Sequence, residues 1–199
     1  MKRPPHESYL SSADPTLADL IDRFGGHCEL SISQTPFDDL ARSIISQQLS
    51  AKAARTIKSR ICMIAGNPIK PDEFSRIPVT RLKEAGLSTA KSEYIKELAS
   101  KVISGDLDLC ELQKLPDRKV IEKLVEQRGI GLWTAQMFLI FACGRTDVLA
   151  TKDAGLRRAI QLFYGREINS DEAFQSFAER WKPYRSFASL YLWRALDRM

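Results

Sequence analysis

The sequence predicts an all-α fold of roughly ten helices, and three observations carry that prediction. Helix start and stop residues follow one another along nearly the whole chain, and between them apolar residues recur at three- and four-residue steps. Runs that alternate apolar with polar residues are nearly absent. Only HCELSIS, at 27–33, has strand character, and it is short and ambiguous.

Taken in order, Asp14-Pro15 reads as an N-cap followed by proline at the first helical position, opening TLADLIDRF, which Gly25-Gly26 closes. Thr35-Pro36 repeats the device before FDDLARSIISQQ, with Asp38 and Asp39 where the helix dipole favours carboxylates. Ser50 can cap AKAARTIKSRICMIAG, which ends at Gly66. Then come TAKSEYIKELASKVISG, DRKVIEKLVEQRG, LWTAQMFLIFACG, AGLRRAIQLFYG, SDEAFQSFAERW and YRSFASLYLWRALDRM, most of them stopped at or just before glycine or proline. Phe138, Phe141, Phe163 and Trp181 fall on core stripes of these helices. There is no low-complexity segment, repeat or long linker, so any lobes share helices or pack closely.

At 199 residues the chain can bury a substantial core without metal or disulfide staples. The 30 Lys and Arg exceed the 25 Asp and Glu, and this excess favours a polyanionic partner without naming one. Cys28, Cys62, Cys110 and Cys143 form no CxxC pair and no metal-ligand cluster, and read as reduced. MKRPPHESYL has no apolar core of the signal-peptide kind, and no segment reaches the roughly 18 uncharged apolar residues of a membrane span. The expected setting is intracellular and away from membranes.

RGIGLWTAQMFLIFACG poses the most specific question, because two glycines stand ahead of a strongly helical run. Gly129 ends one helix and Gly131 precedes the next, with Ile130 between them. A helix start leaves N–H groups unpaired and carries partial positive charge, which suits an anion, and glycine lets a phosphate approach closely. Thr134 lies in the first turn, where a hydroxyl can add a contact. The same pattern also makes a plain αα turn. Further on, Asp153 in DVLATKDAGLRRAI stands at the expected start of another helix, where an aspartate commonly serves as an N-cap.

Four segments in this order, FDDLARSIISQQLSAKAA, LVEQRGIGLWTAQMFLIFA, DVLATKDAGLRRA and ERWKPYRSFASLYLWRAL, together resemble the helix-hairpin-helix DNA glycosylases, most of all the 3-methyladenine DNA glycosylase II branch. The resemblance runs from about residue 15 to the C-terminus. It implies a two-lobed helical fold with an active-site cleft between the lobes, in one catalytic unit. Residues 36–150 would form the central lobe that holds the hairpin, and 1–35 with 151–199 the second. It also implies that the hairpin grips a DNA phosphate through Gly129, Ile130 and Gly131, with Na+ or K+ held by the carbonyls of Val125, Gln127 and Ile130. Asp153 would be the catalytic carboxylate. Trp133, Met137, Tyr191 and Trp193, with Phe138 nearby, match the base pocket. SQQLS matches the loop that fills the gap left by an extruded base, with Gln47, Gln48 and Leu49 as candidates, although Gln47 and Gln48 could equally end one helix before Ser50 caps the next.

The chain departs from the family where many members have proline before the first glycine and this one has Arg128. Met137 stands where some members have tyrosine, and a thioether adapts to differently shaped bases. Longer bacterial members carry an additional N-terminal domain, whereas about 30 residues precede TPFDDLARSII here. Relatives that also cut the backbone place a lysine two residues after the second glycine, where this chain has Trp133, so no lyase step is expected. With no cysteine beyond Cys143, no iron–sulfur cluster is expected either, and no other cofactor is required. His6 and His27, the only histidines, lie far in sequence from Asp153, where they read as packing or surface residues rather than general acids. A site without a general acid suits alkylated purines such as 3-methyladenine and 7-methylguanine, which leave as neutral bases. The expected protein is therefore a monomeric, monofunctional glycosylase acting on alkylated bases in duplex DNA, cytoplasmic and nucleoid-associated in a bacterium or archaeon and nuclear in a eukaryote. The alternatives are a non-catalytic DNA-binding module and a glycosylase for other damaged bases.

Overall fold

The computed structural model describes residues 3–26 and 28–199; His27 lies outside them. In chain order the helices are α1 (Pro5–Ala13), α2 (Pro15–Phe24), α3 (Pro36–Ser46), α4 (Ala51–Ala65), α5 (Pro71–Arg76), α6 (Val79–Glu84), α7 (Thr89–Ser104), α8 (Leu109–Leu112), α9 (Asp117–Val125), α10 (Leu132–Phe141), α11 (Ala154–Tyr164), α12 (Asp171–Ala178) and α13 (Arg185–Asp197), with a 3-10 turn at Glu179–Trp181. The all-α prediction holds, and no strand occurs among the described residues. Ser33 donates its N–H to Ala142 O at 2.8 Å, a single bridge with no ladder behind it.

The chain divides into two compact units, Ser31–Gly144 and Met1–Leu30 with Arg145–Met199. These boundaries fall before residues 36 and 151, where the sequence placed them.

In the Ser31–Gly144 unit, α10 is apolar on nearly every face, which is the pattern of a buried helix, and it packs against α3 and α9. Phe138 is fully buried there, but Phe141 is 40% exposed because it falls on the last turn of α10 and points away from that packing. Its assignment to the core is therefore corrected. Ser50 caps α4 as expected, its hydroxyl accepting from Ala53 N. Thr35 does not cap α3. Its own N–H donates to Ser33 Oγ, and Asp38, buried in the first turn of α3, takes Arg42 Nε at 2.7 Å and the N–H of Ile69 at 3.0 Å.

In the other unit, Asp14 is buried and three donors satisfy it. Its Oδ1 accepts the N–H of Leu17 at 3.1 Å, capping α2, while Oδ2 accepts Tyr164 Oη–H at 3.0 Å and Trp181 Nε1–H at 2.8 Å. Burial, with Asp14 behind it, pushes the Tyr164 hydroxyl well above its ordinary range. One carboxylate so ties the start of α2 to α11 and the 3-10 turn, an arrangement that is tolerable in the interior because both of its oxygens are hydrogen-bonded.

Candidate active site and nucleic-acid interface

The two hairpin glycines serve different needs. Gly129 has φ +82°, and a Cβ there would lie 2.2 Å from Cδ2 of Tyr94, so a side chain is excluded both by backbone and by the packed ring. Gly131 is extended, with φ −98°, and nothing stands within 4 Å of the place a Cβ would take. Open space therefore lies over the start of α10, where the first intrahelical donor is Ala135, its N–H reaching Gly131 O at 3.0 Å. That is the geometry of an anion-accepting helix N-terminus. Ile130, its side chain buried, has its own N–H on Gln127 O at 3.1 Å. Arg128 lies over the Tyr94 ring, 5.1 Å from its centroid, within 3.7 Å of Glu93.

Thr134, expected at a phosphate, is buried, and its hydroxyl accepts from Gln47 Nε2 at 2.9 Å. The same Nε2 donates to Gly129 O at 2.9 Å. Thr134 faces the inside of the unit and leaves the DNA-contact set, while Gln47 is half-buried with its amide nitrogen committed to the hairpin. Gln48 and Leu49 do face solvent, at a turn where Gln48 is the one non-glycine residue with positive φ among the described residues, at 56°. Leading away from that turn, α4 carries Lys52, Arg55, Lys58 and Arg60 and no carboxylate, so the helix is basic as a whole. Arg42, Arg55 and Lys58 also border a cavity of about 490 Å3.

Asp153 is both cap and buried carboxylate. It is 7% exposed at the N-terminus of α11, and Oδ1 accepts the N–H of Leu156 at 2.7 Å and Nε1–H of Trp193 at 3.0 Å. Trp193 is half-buried, so its indole plane is fixed by the carboxylate beside it. Gly155 makes the arrangement possible: a Cβ there would stand 3.0 Å from Asp153 Oδ1 and 3.4 Å from two Trp193 ring atoms. Nothing local in the sequence singles out Gly155, since its need arises from Trp193, far along the chain on α13. Lys152, next to Asp153, is paired with Asp171 at 2.8 Å, and this lysine holds the Asp171 carboxyl below its usual range.

Tyr191 does not join them. It is 1% exposed, with Oη donating to Glu7 Oε1 at 2.8 Å and 3.3 Å from His6 Nε2. On a helix, two residues before Trp193 is nearly the opposite face, so Tyr191 anchors α1 and leaves the base-pocket set. His6 is stacked on Phe187 at 3.7 Å between centroids, and burial lowers its pKa below the ordinary value. It is a packing residue. Trp133 and Met137 lie on α10 of the Ser31–Gly144 unit, the first half-buried and the second buried.

An α9–α10 hairpin with an open N-terminus and a buried carboxylate capping a later helix are the marks of a base excision repair glycosylase. The chain belongs to the HhH-GPD superfamily of base excision DNA repair proteins, whose profile matches residues 41–183. The protein YfjP of Bacillus subtilis is 30% identical over 176 residues, covering 84% of this chain and 61% of that protein. The DNA-3-methyladenine glycosylase of Saccharomyces cerevisiae is 30% identical over 94% of this chain and 77% of its own. Among solved structures, the Schizosaccharomyces pombe 3-methyladenine DNA glycosylase in complex with abasic DNA has a TM-score of 0.84, 29% identity and 96% of each chain covered.

Proposed function

We propose that this protein is a monofunctional DNA glycosylase that turns an alkylated purine out of duplex DNA and hydrolyses its N-glycosyl bond, leaving an abasic site. The observation that carries the reading is the Asp153 carboxylate, buried at a helix N-terminus with Oδ1 fixed by Leu156 N–H and Trp193 Nε1–H. A carboxylate held in place opposes positive charge on the sugar as the glycosyl bond breaks, and it orients or deprotonates the incoming water. Fixed donors matter because they avoid reorganisation during the reaction.

An alkylated purine already carries positive charge and leaves as a neutral base, so no protein acid has to protonate it. The packing of His6 against Phe187 fits that chemistry. Trp193, pinned by Asp153, offers a face on which a cationic base stacks, with a cation–π gain of about 0.5 to 2 kcal/mol. Trp133 is a second aromatic candidate, and its place two residues after Gly131 supports hydrolysis without a lyase step. At the end of α9, the carbonyls of Val125, Gln127 and Ile130 are suited to a monovalent cation. Gln127 O accepts the N–H of Ile130 at 3.1 Å and keeps a second lone pair. Such an ion would add positive charge facing a phosphate.

The test is base release from duplexes each carrying one lesion, alongside affinity for a duplex with an abasic analogue. The wild type should free 3-methyladenine and 7-methylguanine. Asp153→Asn should slow release by about 100-fold or more with affinity nearly unchanged, since the amide keeps the shape but loses the charge. An active Asn variant removes Asp153 from this role. A wild type that binds every duplex and frees no base makes the protein a DNA-binding module instead.

A further inference from the structure

The turn that presents Gln48 and Leu49 is held unusually tightly for an exposed loop. Gln48 sits at φ 56°, a region that side-chain-bearing residues rarely occupy, so something must pay for it. Two side chains do. Gln47 reaches from the turn to the hairpin, its Nε2 donating to Gly129 O and Thr134 Oγ1, both at 2.9 Å. Lys91, in the first turn of α7, donates from Nζ to Ile45 O at 2.9 Å and Gln47 O at 2.6 Å.

The second contact is costly in isolation. A lysine in the first turn of a helix opposes the helix dipole, and burial lowers the Lys91 pKa below its ordinary value. What offsets the cost is the end of α3, whose last carbonyls have no helical donors and whose dipole is negative there. An ammonium has the donors to satisfy two such carbonyls at once, and these two flank the point where the chain leaves α3 for Gln48.

We propose that Lys91 and Gln47 are positioning residues for base extrusion, Gln47 tying the Gln48–Leu49 turn to the α9–α10 hairpin and Lys91 holding the same turn to α7, so that phosphate grip and wedge act as one rigid fitting. This rests on the glycosylase reading and extends it to how the base is brought out. An extruded base leaves a gap in the stack, and a wedge that is already ordered fills it without ordering its own backbone at that moment. Neither residue touches the DNA. The hairpin would grip any duplex without them, but the step of opening the stack would suffer.

The experiment compares wild type with Lys91→Met, Lys91→Arg and Gln47→Leu. Three readouts are taken: single-turnover release of 7-methylguanine from a paired duplex and from a duplex where the lesion is bulged and already unstacked, affinity for undamaged duplex, and fluorescence of 2-aminopurine placed beside a tetrahydrofuran abasic analogue. For Lys91→Met and Gln47→Leu, release from the paired duplex should fall by about tenfold or more, while the bulged lesion and undamaged-duplex affinity stay within about twofold. The 2-aminopurine signal should fall in parallel, and Lys91→Arg should restore both. Equal loss on paired and bulged lesions, loss of affinity for undamaged duplex, or no change would overturn the proposal. Should Lys91→Met fail to fold, Gln47→Leu decides alone. A wild type that frees no base defeats the glycosylase reading, and the 2-aminopurine signal, which needs no catalysis, still decides the positioning role.

Discussion

Replacing Gly129 by alanine should destabilise the protein by about 2 to 5 kcal/mol. At φ +82° the left-handed backbone costs a side-chain-bearing residue about 1 to 2 kcal/mol. The added methyl would also meet Tyr94 at 2.2, 2.4 and 2.9 Å from Cδ2, Cγ and Cβ. The ring cannot rotate clear when its own Cβ is involved, so overpacking adds about 1 to 3 kcal/mol. For a chain of 199 residues, each kcal/mol lowers the melting temperature by about 2 to 4 °C, so the drop should be about 4 to 20 °C. Gly131→Ala is the control within the same motif. With φ −98° and nothing within 4 Å, it should hold stability within about 1 kcal/mol while weakening duplex binding, because the methyl stands over the amides at the start of α10. Circular dichroism melts give the stabilities, and fluorescence anisotropy with an undamaged duplex gives the affinities. If Gly129→Ala melts within about 2 °C of wild type, or Gly131→Ala falls as far as Gly129→Ala, the division of labour between the glycines is wrong.

Three further outcomes follow from the geometry. Asp39 has Oδ2 buried without a hydrogen-bond partner, and burial raises its pKa, so its charged form costs stability once pH exceeds the unfolded value. Asp39→Asn should therefore raise the melting temperature at neutral pH, with the gain vanishing below about pH 4; a gain that persists in acid would contradict this. Gly155→Ala should slow base release by about tenfold, since its methyl would press on Asp153 Oδ1 and the Trp193 ring, yet leave the melting temperature unchanged or higher through better helix propensity. Borohydride added during the reaction should trap no protein–DNA adduct, because Lys152 is held by Asp171 at 2.8 Å and Trp133 occupies the lyase lysine's place; a stoichiometric adduct lost in Lys152→Ala would make Lys152 a nucleophile.

Helices of ten residues or more were legible because each spans several turns of apolar periodicity and carries its own punctuation, as Asp14-Pro15 and Ser50 do for α2 and α4. The short helices α5, α6 and α8, of six, six and four residues, hold too few turns for a period to register, and α1, which is no more legible, buries only His6 and Leu10 and so shows no apolar stripe. At the site, what escaped the sequence was decided by partners distant along the chain. Nothing local marks Thr134 as the acceptor for Gln47, 87 positions earlier, or Tyr191 as the partner of Glu7, 184 positions earlier. A hydroxyl in the first turn of a hairpin helix reads the same whether it meets a phosphate or an amide. Only the position of Gln47 separates the two.

Cap and catalytic carboxylate are alternative readings of Asp153 in the sequence, and the proposed function joins them. Capping uses one carboxylate oxygen, Oδ1, and the bond from Leu156 N–H fixes where the group points. Because Trp193 Nε1–H bonds the same oxygen, the cap also holds the aromatic ring on which the proposed function would stack a flipped base. Gly155 completes the logic, since any side chain between the carboxylate and the indole would force them apart. A residue that caps well is by that fact held still, and stillness is what electrostatic stabilisation of a developing charge requires. On the proposed glycosylase function, the structural role of Asp153 is the means by which its charge would be aimed, and a serine cap at the same place would keep the helix while losing the charge.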